Sequence, residues 1–226
     1  MKFDYTFISI MGYPVFEPMI LLTNSFLFGI SLYSFLVLRR FAHDYARCMA
    51  WFTLLLGVSS VFGAIGHAVH FQLGNQFFSV VLFLMHAFSL LAIYYFFLAP
   101  FAYLTKDYEQ TRKWRQGARI WLGLIILISL FSGNFLLIKI NAAFVLLYSL
   151  VMHYRAHRTR DEGGNLLIVG GVLISFIPIF IHSFEISLHK WFNYKDLSHV
   201  FMIISLIFIF AGARRNSSDL GRQQII

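Results

Sequence analysis

Long apolar runs alternate with short charged stretches along this chain. The runs fall at roughly 18–38, 49–70, 76–99, 120–132, 134–152, 166–183 and 198–213. A bilayer core about 30 Å thick takes about 20 apolar residues in one helix, and most of the runs approach or reach that length. The fourth is short and joins the fifth through Ser132-Gly133-Asn134, a tight-turn signal, so the two predict a helical hairpin. Each run is continuous, whereas a membrane β-strand alternates. A spanning segment must also satisfy its own backbone hydrogen bonds. The pattern therefore predicts an all-α bundle of seven transmembrane helices in a single domain over residues 1–226, with a short tail over 214–226. Pro178 is expected to kink the sixth span. The first seventeen residues carry Lys2, and Gly12 and Pro14 interrupt their apolar stretch. With no small-residue cleavage pattern after them, they read as an interfacial segment and not as a cleaved signal.

Composition narrows the solvent. With 59% hydrophobic and 12% charged residues, a soluble domain of this length could not cover its apolar surface. Many of the 27 phenylalanines then read as lipid-facing. The one cysteine, Cys48, rules out an intrachain disulfide and gives no sign of a thiolate metal cluster.

A net charge of +8 would suit nucleic acid, but its distribution argues against that partner. Basic residues occupy alternate loops: Arg39, Arg40 and Arg47; then Lys106, Arg112, Lys113, Arg115 and Arg119; then Arg155, Arg158 and Arg160; then Arg214, Arg215 and Arg222. By the positive-inside rule those loops are cytoplasmic. The N-terminus is expected outside and the C-terminus inside, in a multi-pass protein of a bacterial inner (cell) membrane. Membrane lipid is the expected surrounding partner, with a secondary attraction of the basic loops to anionic headgroups. His43, His153 and His157 lie among the cytoplasmic arginines and read as solvated residues.

In that frame the remaining polar residues gather at one level. Glu17 opens the first span, and Asn24 lies two turns deeper on the same face. The second span ends with His67 and His70, and Ser60 shares the stripe of His67. The sixth ends at His182, and the following loop carries Glu185 and His189, which read as solvated. The seventh begins with Asp196 and His199, neighbours at i, i+3. His86 sits near mid-depth in the third span. Each residue alone has a plain reading: an interfacial imidazole, an acid beside a helix N-terminus, or, for Asp196, an N-cap. Their conjunction is the signal, because ionisable groups at a membrane edge are costly unless they face a partner or a water-filled cavity. Imidazole with carboxylate is a ligand set for zinc or another divalent metal.

These residues resemble a superfamily of seven-span membrane hydrolases that contains the alkaline ceramidases and the adiponectin and progestin receptor relatives. Glu17 with Asn24 is similar to the Glu and Asn that open the first span in ceramidases, and Ser60 with His67 is similar to a serine and histidine late in the second. The family's last span opens with two zinc-binding histidines four residues apart, and His199 matches the second. The first is Lys195 here, so Asp196 would have to substitute. Gly63 stands where the family's serine spacing falls, and the family's acidic residue in the third span has no counterpart. The resemblance implies a zinc-activated water attacking the amide of a lipid substrate held within the bundle. The metal ligands would be His67 or His70, with Asp196 and His199. Ser60 or His86 would orient the water or the oxyanion, and Glu17, Asn24 and His182 would support the ligands from behind.

Other classes remain open. A haem protein would use two of the helical histidines as axial ligands. A receptor or assembly factor would bind without turnover. A retinal protein is disfavoured because the last span contains no lysine, and no paired broken helices point to a transporter.

Overall fold

The computed structural model describes residues 6–69, 74–105, 108–132, 135–160 and 163–223. It opens with a feature outside the all-α expectation, an antiparallel hairpin of β1 (Phe7–Ile10) and β2 (Tyr13–Phe16), with Ile10 paired to Tyr13. The two-residue turn between them, Met11-Gly12, has positive φ at both positions, 51° and 85°. That is the mirror-image turn whose twist suits a hairpin, and Gly at its second position supplies it. Gly12 and Pro14 thus build a two-stranded ribbon, in which Pro14 is tolerated because both strands are edges.

The rest is helical: α1 (Pro18–Leu38), α2 (Asp44–Val69), α3 (Asn75–Leu104), α4 (Tyr108–Ser132), α5 (Phe135–Arg160), α6 (Gly163–Ser175), α7 (Ile177–Ser183) and α8 (Tyr194–Gln223). Among the described residues, six stretches are long and apolar enough to cross a membrane: α1, α2, α3, α5, α6 with α7, and α8. They are compatible with an integral, multi-pass membrane protein. The fourth apolar run lies in the second half of α4, whose first half carries Arg112, Lys113, Arg115 and Arg119. Pro178 does more than kink the sixth run. It sits in the first turn of α7, where its missing N–H costs nothing, and the rod breaks at Phe176. Residues 214–223, expected as a tail, continue α8. Gly133 and Asn134, expected to turn the helical hairpin, lie outside the described residues.

Apolar side chains cover the outside of the rods. Phe26, Phe77 and Phe144 are each at least 60% exposed, a surface suited to lipid and costly in water. The core lies around α2, which packs on α1 and α3, with α8 against α1 and α6. Tyr45, Phe52, Phe96, Ile168 and Leu206 belong to it.

The α6–α8 contact is a seam of small residues. A Cβ on Gly171 would lie 2.8 Å from the Ser205 carbonyl oxygen, and a Cβ on Gly164 would collide with Asn216 Oδ1. Ser205 Oγ donates across the seam to the Gly171 carbonyl at 2.8 Å. Such close backbone approach is how helices associate where lipid is as apolar as leucine.

At the arginine-rich end the structure corrects one expectation. His153 is not solvated: it is 1% exposed. Its Nδ1 lies 2.8 Å from Asn165 Oδ1. Asn165 Nδ2 donates to Tyr103 Oη at 3.0 Å, and Asn216 Nδ2 donates to Asn165 Oδ1 at 3.0 Å and to Tyr45 Oη at 3.2 Å. Because Asn165 Oδ1 can only accept, Nδ1 of His153 carries the proton. The cause is length: α5 runs on to Arg160, so His153 falls on its inward face instead of in a loop. His43, half-buried between α1 and α2, sits 3.1 Å from the Ser217 carbonyl through Nε2, and its Nδ1 accepts from Ala46 N–H at 3.2 Å. His157 is half-buried on α5.

Candidate functional site

Glu17 occupies the joint between β2 and α1. Its backbone is left-handed, φ 45° and ψ 57°, a conformation that costs a non-glycine residue of order 1–3 kcal/mol. The chain holds it there. Its N–H donates to the Thr6 carbonyl at 2.8 Å, and its carbonyl accepts from Ile20 at 2.9 Å. Pro18 begins the helix with φ already set and no N–H to satisfy. The side chain makes no cap on α1 and is free to reach across the bundle, where it is 4% exposed.

Both carboxylate oxygens are engaged. Oε2 lies 2.6 Å from His67 Nδ1, in the last turn of α2, and Oε1 accepts from Lys195 Nζ at 2.7 Å, in the first turn of α8. Burial alone would raise the Glu17 pKa. The hydrogen bonds from His67 and Lys195, with their charges, outweigh burial and hold the carboxyl below its usual 4.5. An ionised carboxylate can only accept, so His67 Nδ1 is the donor. The His67 side chain is 38% exposed.

Asp196 and His199 follow on α8. The helix starts with a reciprocal cap: Lys195 N–H donates to Asn193 Oδ1 at 2.9 Å, and Asn193 N–H donates to Asp196 Oδ2 at 2.9 Å. This is capping-box geometry. The other oxygen, Oδ1, is buried without a hydrogen-bond partner among the described residues. His199 Nδ1 lies 3.1 Å from Thr23 Oγ1 and 3.4 Å from Asn24 Nδ2. Asn24 also donates to the Ile20 carbonyl at 2.9 Å. Asp196 stands in the electrostatic range of Glu17, Lys195 and His67, and His199 in that of His67, His182, Glu17 and Lys195. His182, exposed at the end of α7, packs edge-on against Tyr194 with ring centroids 5.2 Å apart.

Glu17, Asn24, His67, His182, Asp196 and His199 therefore lie at one end of the bundle. Ser60 lies deeper in α2, against the backbone of Asn24. Ser60 Oγ donates to the Gly57 carbonyl of its own helix at 2.7 Å and is 3.4 Å from the Asn24 carbonyl. The adjacent Ser59 faces α3, donating to the Met85 carbonyl at 2.8 Å with Ser89 Oγ 2.7 Å away. His86 belongs to α3, next in sequence to Met85. His70 lies outside the described residues. Glu185 and His189 are exposed in the loop before α8, as expected.

Two residues gain weight from the geometry. Lys195, dismissed as a ligand from its charge, is an ion-pair partner of Glu17. Thr23, one residue from Asn24, makes the shorter contact to His199. A hydroxyl beside Asn24 in the same turn of α1 was the available signal for Thr23.

The fit to a divalent metal is poor. Among the described residues no three His, Cys, Asp or Glu side chains group to hold an ion. The Lys195 ammonium stands in the cluster, and one Asp196 oxygen is spent on the cap.

The chain belongs to a family of unknown function, DUF6962, whose model matches residues 19–218. The match includes His67, Lys195, Asp196 and His199 and begins just after Glu17. No curated protein and no solved structure matches the chain.

Proposed function

For this member of the family we propose a seven-span integral membrane protein that hydrolyses a lipid amide at the polar cluster. The second half of α4 supplies the seventh span. The arginines lie at the end of the bundle opposite Glu17, which supports a cytoplasmic C-terminus and a cluster at the extracytoplasmic leaflet. The observation that carries the reading is the 2.6 Å contact between Glu17 and His67, with His67 still open to the surface. A carboxylate on Nδ1 fixes the imidazole tautomer and ring orientation and stabilises the imidazolium, the role an acid plays behind a catalytic histidine.

In this mechanism Nε2 of His67 takes a proton from water. The hydroxide formed attacks the amide carbonyl, and the same proton passes to the departing amine. Glu17 stays ionised throughout, and Lys195 anchors its second oxygen. Lys195 stands where the resembling hydrolases carry a zinc-binding histidine, so no step is routed through zinc. The leaflet beside the cluster delivers the lipid substrate sideways.

The test is fatty-acid release from a panel of N-acyl lipids, ceramide included, by the purified protein with and without a chelator. His67→Gln should lower turnover by about 10²- to 10⁴-fold, the usual range for a general base, while wild-type turnover survives chelation. Turnover lost on chelation and restored by zinc would return a metal to the site and overturn the histidine mechanism. A wild-type protein inert on every lipid amide would leave the cluster as a non-catalytic tie between α1, α2 and α8.

A further inference from the structure

One face of α8 changes character along its length. Ile204, Ile207 and Phe208 are each more than a third exposed. By helical spacing they share that face with Ala211, Arg214 and Arg215, four or seven residues further on. There the surface opens into a cleft of about 480 Å³, with Phe210 and Ala211 at one end. Arg214, Arg215 and Arg222 line the rest, with Ser218 and Asp219 among them. The opposite face of the same turns is spent on packing: Gly212, Ala213, Asn216 and Ser217 are buried.

The charges that border the cleft are not matched. Asp219 Oδ1 lies 3.5 Å from Arg222 Nη2. Arg214 and Arg215 are exposed and form no ion pair among the described residues. By contrast Arg47 and Arg115 pair with Asp44, and Arg112 pairs with Glu109. Three guanidiniums against one carboxylate leave the cleft positive. Arg215 lies beside the start of α6, its Nη1 2.8 Å from where a Cβ on Gly163 would stand, and glycine leaves it that room. A guanidinium presents a planar fork that fits phosphate oxygens. Ser218 adds a hydroxyl one turn from both Arg214 and Arg222.

Along one exposed face, then, hydrocarbon surface runs into phosphate-binding chemistry. The apolar run of α8 ends at Ala213, so the cleft opens where a hydrocarbon layer would give way to headgroups. An acidic peptide or a free phosphate would answer the arginines and leave Ile204, Ile207 and Phe208 bare. A fatty chain alone would do the reverse. We infer that this face of α8 binds one anionic glycerophospholipid, its phosphate held by Arg214 and Arg215 in the cleft and an acyl chain lying along Ile204, Ile207 and Phe208. The inference rests on α8 being a membrane span and is independent of hydrolysis.

Delipidated full-length protein, in detergent at low salt, would be given equal amounts of phosphatidylglycerol and phosphatidylcholine with matched chains. Bound lipid would then be counted by native mass spectrometry. Wild type should retain phosphatidylglycerol in preference, roughly tenfold or more, the scale of two basic residues near a headgroup. Arg214→Gln with Arg215→Gln should abolish the preference. Lys113→Gln with Arg158→Gln removes the same charge from exposed positions outside the cleft and should keep it. Equal loss in the two double variants would mean diffuse attraction and overturn the site, as would equal retention of the two lipids by wild type. The chain is located by Phe208→Trp, whose fluorescence should be quenched, beyond the wild-type signal, by one equivalent of phosphatidylglycerol brominated along its chain. No added quenching would overturn the placement. Competition by glycerol 3-phosphate as strong as by phosphatidylglycerol would give the cleft to a free phosphate and overturn the lipid. Release of the protein from membranes by alkali alone would refute the span itself, and the site with it.

Discussion

Glu17 and Lys195 lie 178 residues apart in the chain and meet at 2.7 Å. Their contact ties the joint between the hairpin and α1 to the first turn of α8, with His67 of α2 on the remaining carboxylate oxygen.

Breaking that contact from either side should be costly. Lys195→Met leaves a buried carboxylate with one partner, and Glu17→Gln leaves an ammonium that is only 21% exposed. Loss of one partner of a buried pair typically costs about 3–5 kcal/mol, and partial exposure of Lys195 brings the expectation nearer 2. The double variant should recover part of the loss, with a coupling of about 1–3 kcal/mol in denaturant unfolding from detergent. Additive single losses would show that the pair contributes nothing of its own.

Acid should weaken the fold in two separate windows. Burial pushes the His43 pKa below its usual 6.5, against the opposing pull of the Ser217 carbonyl and the Asp44 charge. A group depressed in the fold stabilises above its unfolded pKa, so this contribution fades as pH falls from 6.5 through the lowered value. Glu17, also held low, contributes above 4.5 and loses that contribution at still lower pH. Melting temperatures measured from pH 7 to pH 3 should show a shallower upper limb in His43→Gln and a shallower lower limb in Glu17→Gln. Identical profiles in all three proteins would contradict both assignments.

The glycine seam should tolerate no methyl group at Gly164. An added Cβ collides with Asn216 Oδ1 and comes within 2.8 Å of the Gly212 carbonyl oxygen. Asn216 also donates to Asn165 and Tyr45, so moving it disturbs the His153 network. Gly164→Ala should destabilise by about 1–3 kcal/mol or more, the cost of overpacking. Gly123→Ala, in open space, should be neutral or slightly stabilising through helix propensity. Comparable melting temperatures for the two variants would refute the close approach of α6 and α8.

The long rods were legible from the apolar runs because hydrophobicity records what lipid can cover. Their ends were not. α2 begins at Asp44, α5 runs to Arg160 and α8 to Gln223, each past its apolar run, because a helix continues where its inward face still has something to touch. His153 was misread for that reason. The hairpin was hidden in two residues, Gly12 and Pro14, that signal a break without saying what forms around it. Glu17, Asn24, His67, Asp196 and His199 were legible as a group because each is costly at a membrane edge. Which of them touch was not: pairing depends on rotamers across three helices, and Lys195 read as an intruder where the structure makes it a partner.

The ties among α1, α2 and α8 also set an order of assembly. α1 and α2 are synthesised well before α8, so Glu17 can meet His67 early but must wait for its ammonium. Until then a carboxylate stands at the bundle edge half-neutralised, exposed to water or to whatever cation is at hand. The site is thus completed by the last described helix to emerge, and a chain stalled before residue 195 carries most of the bundle without a finished centre. Docking of α8 along the glycine backbone of α6 is then the event that brings Lys195 to Glu17.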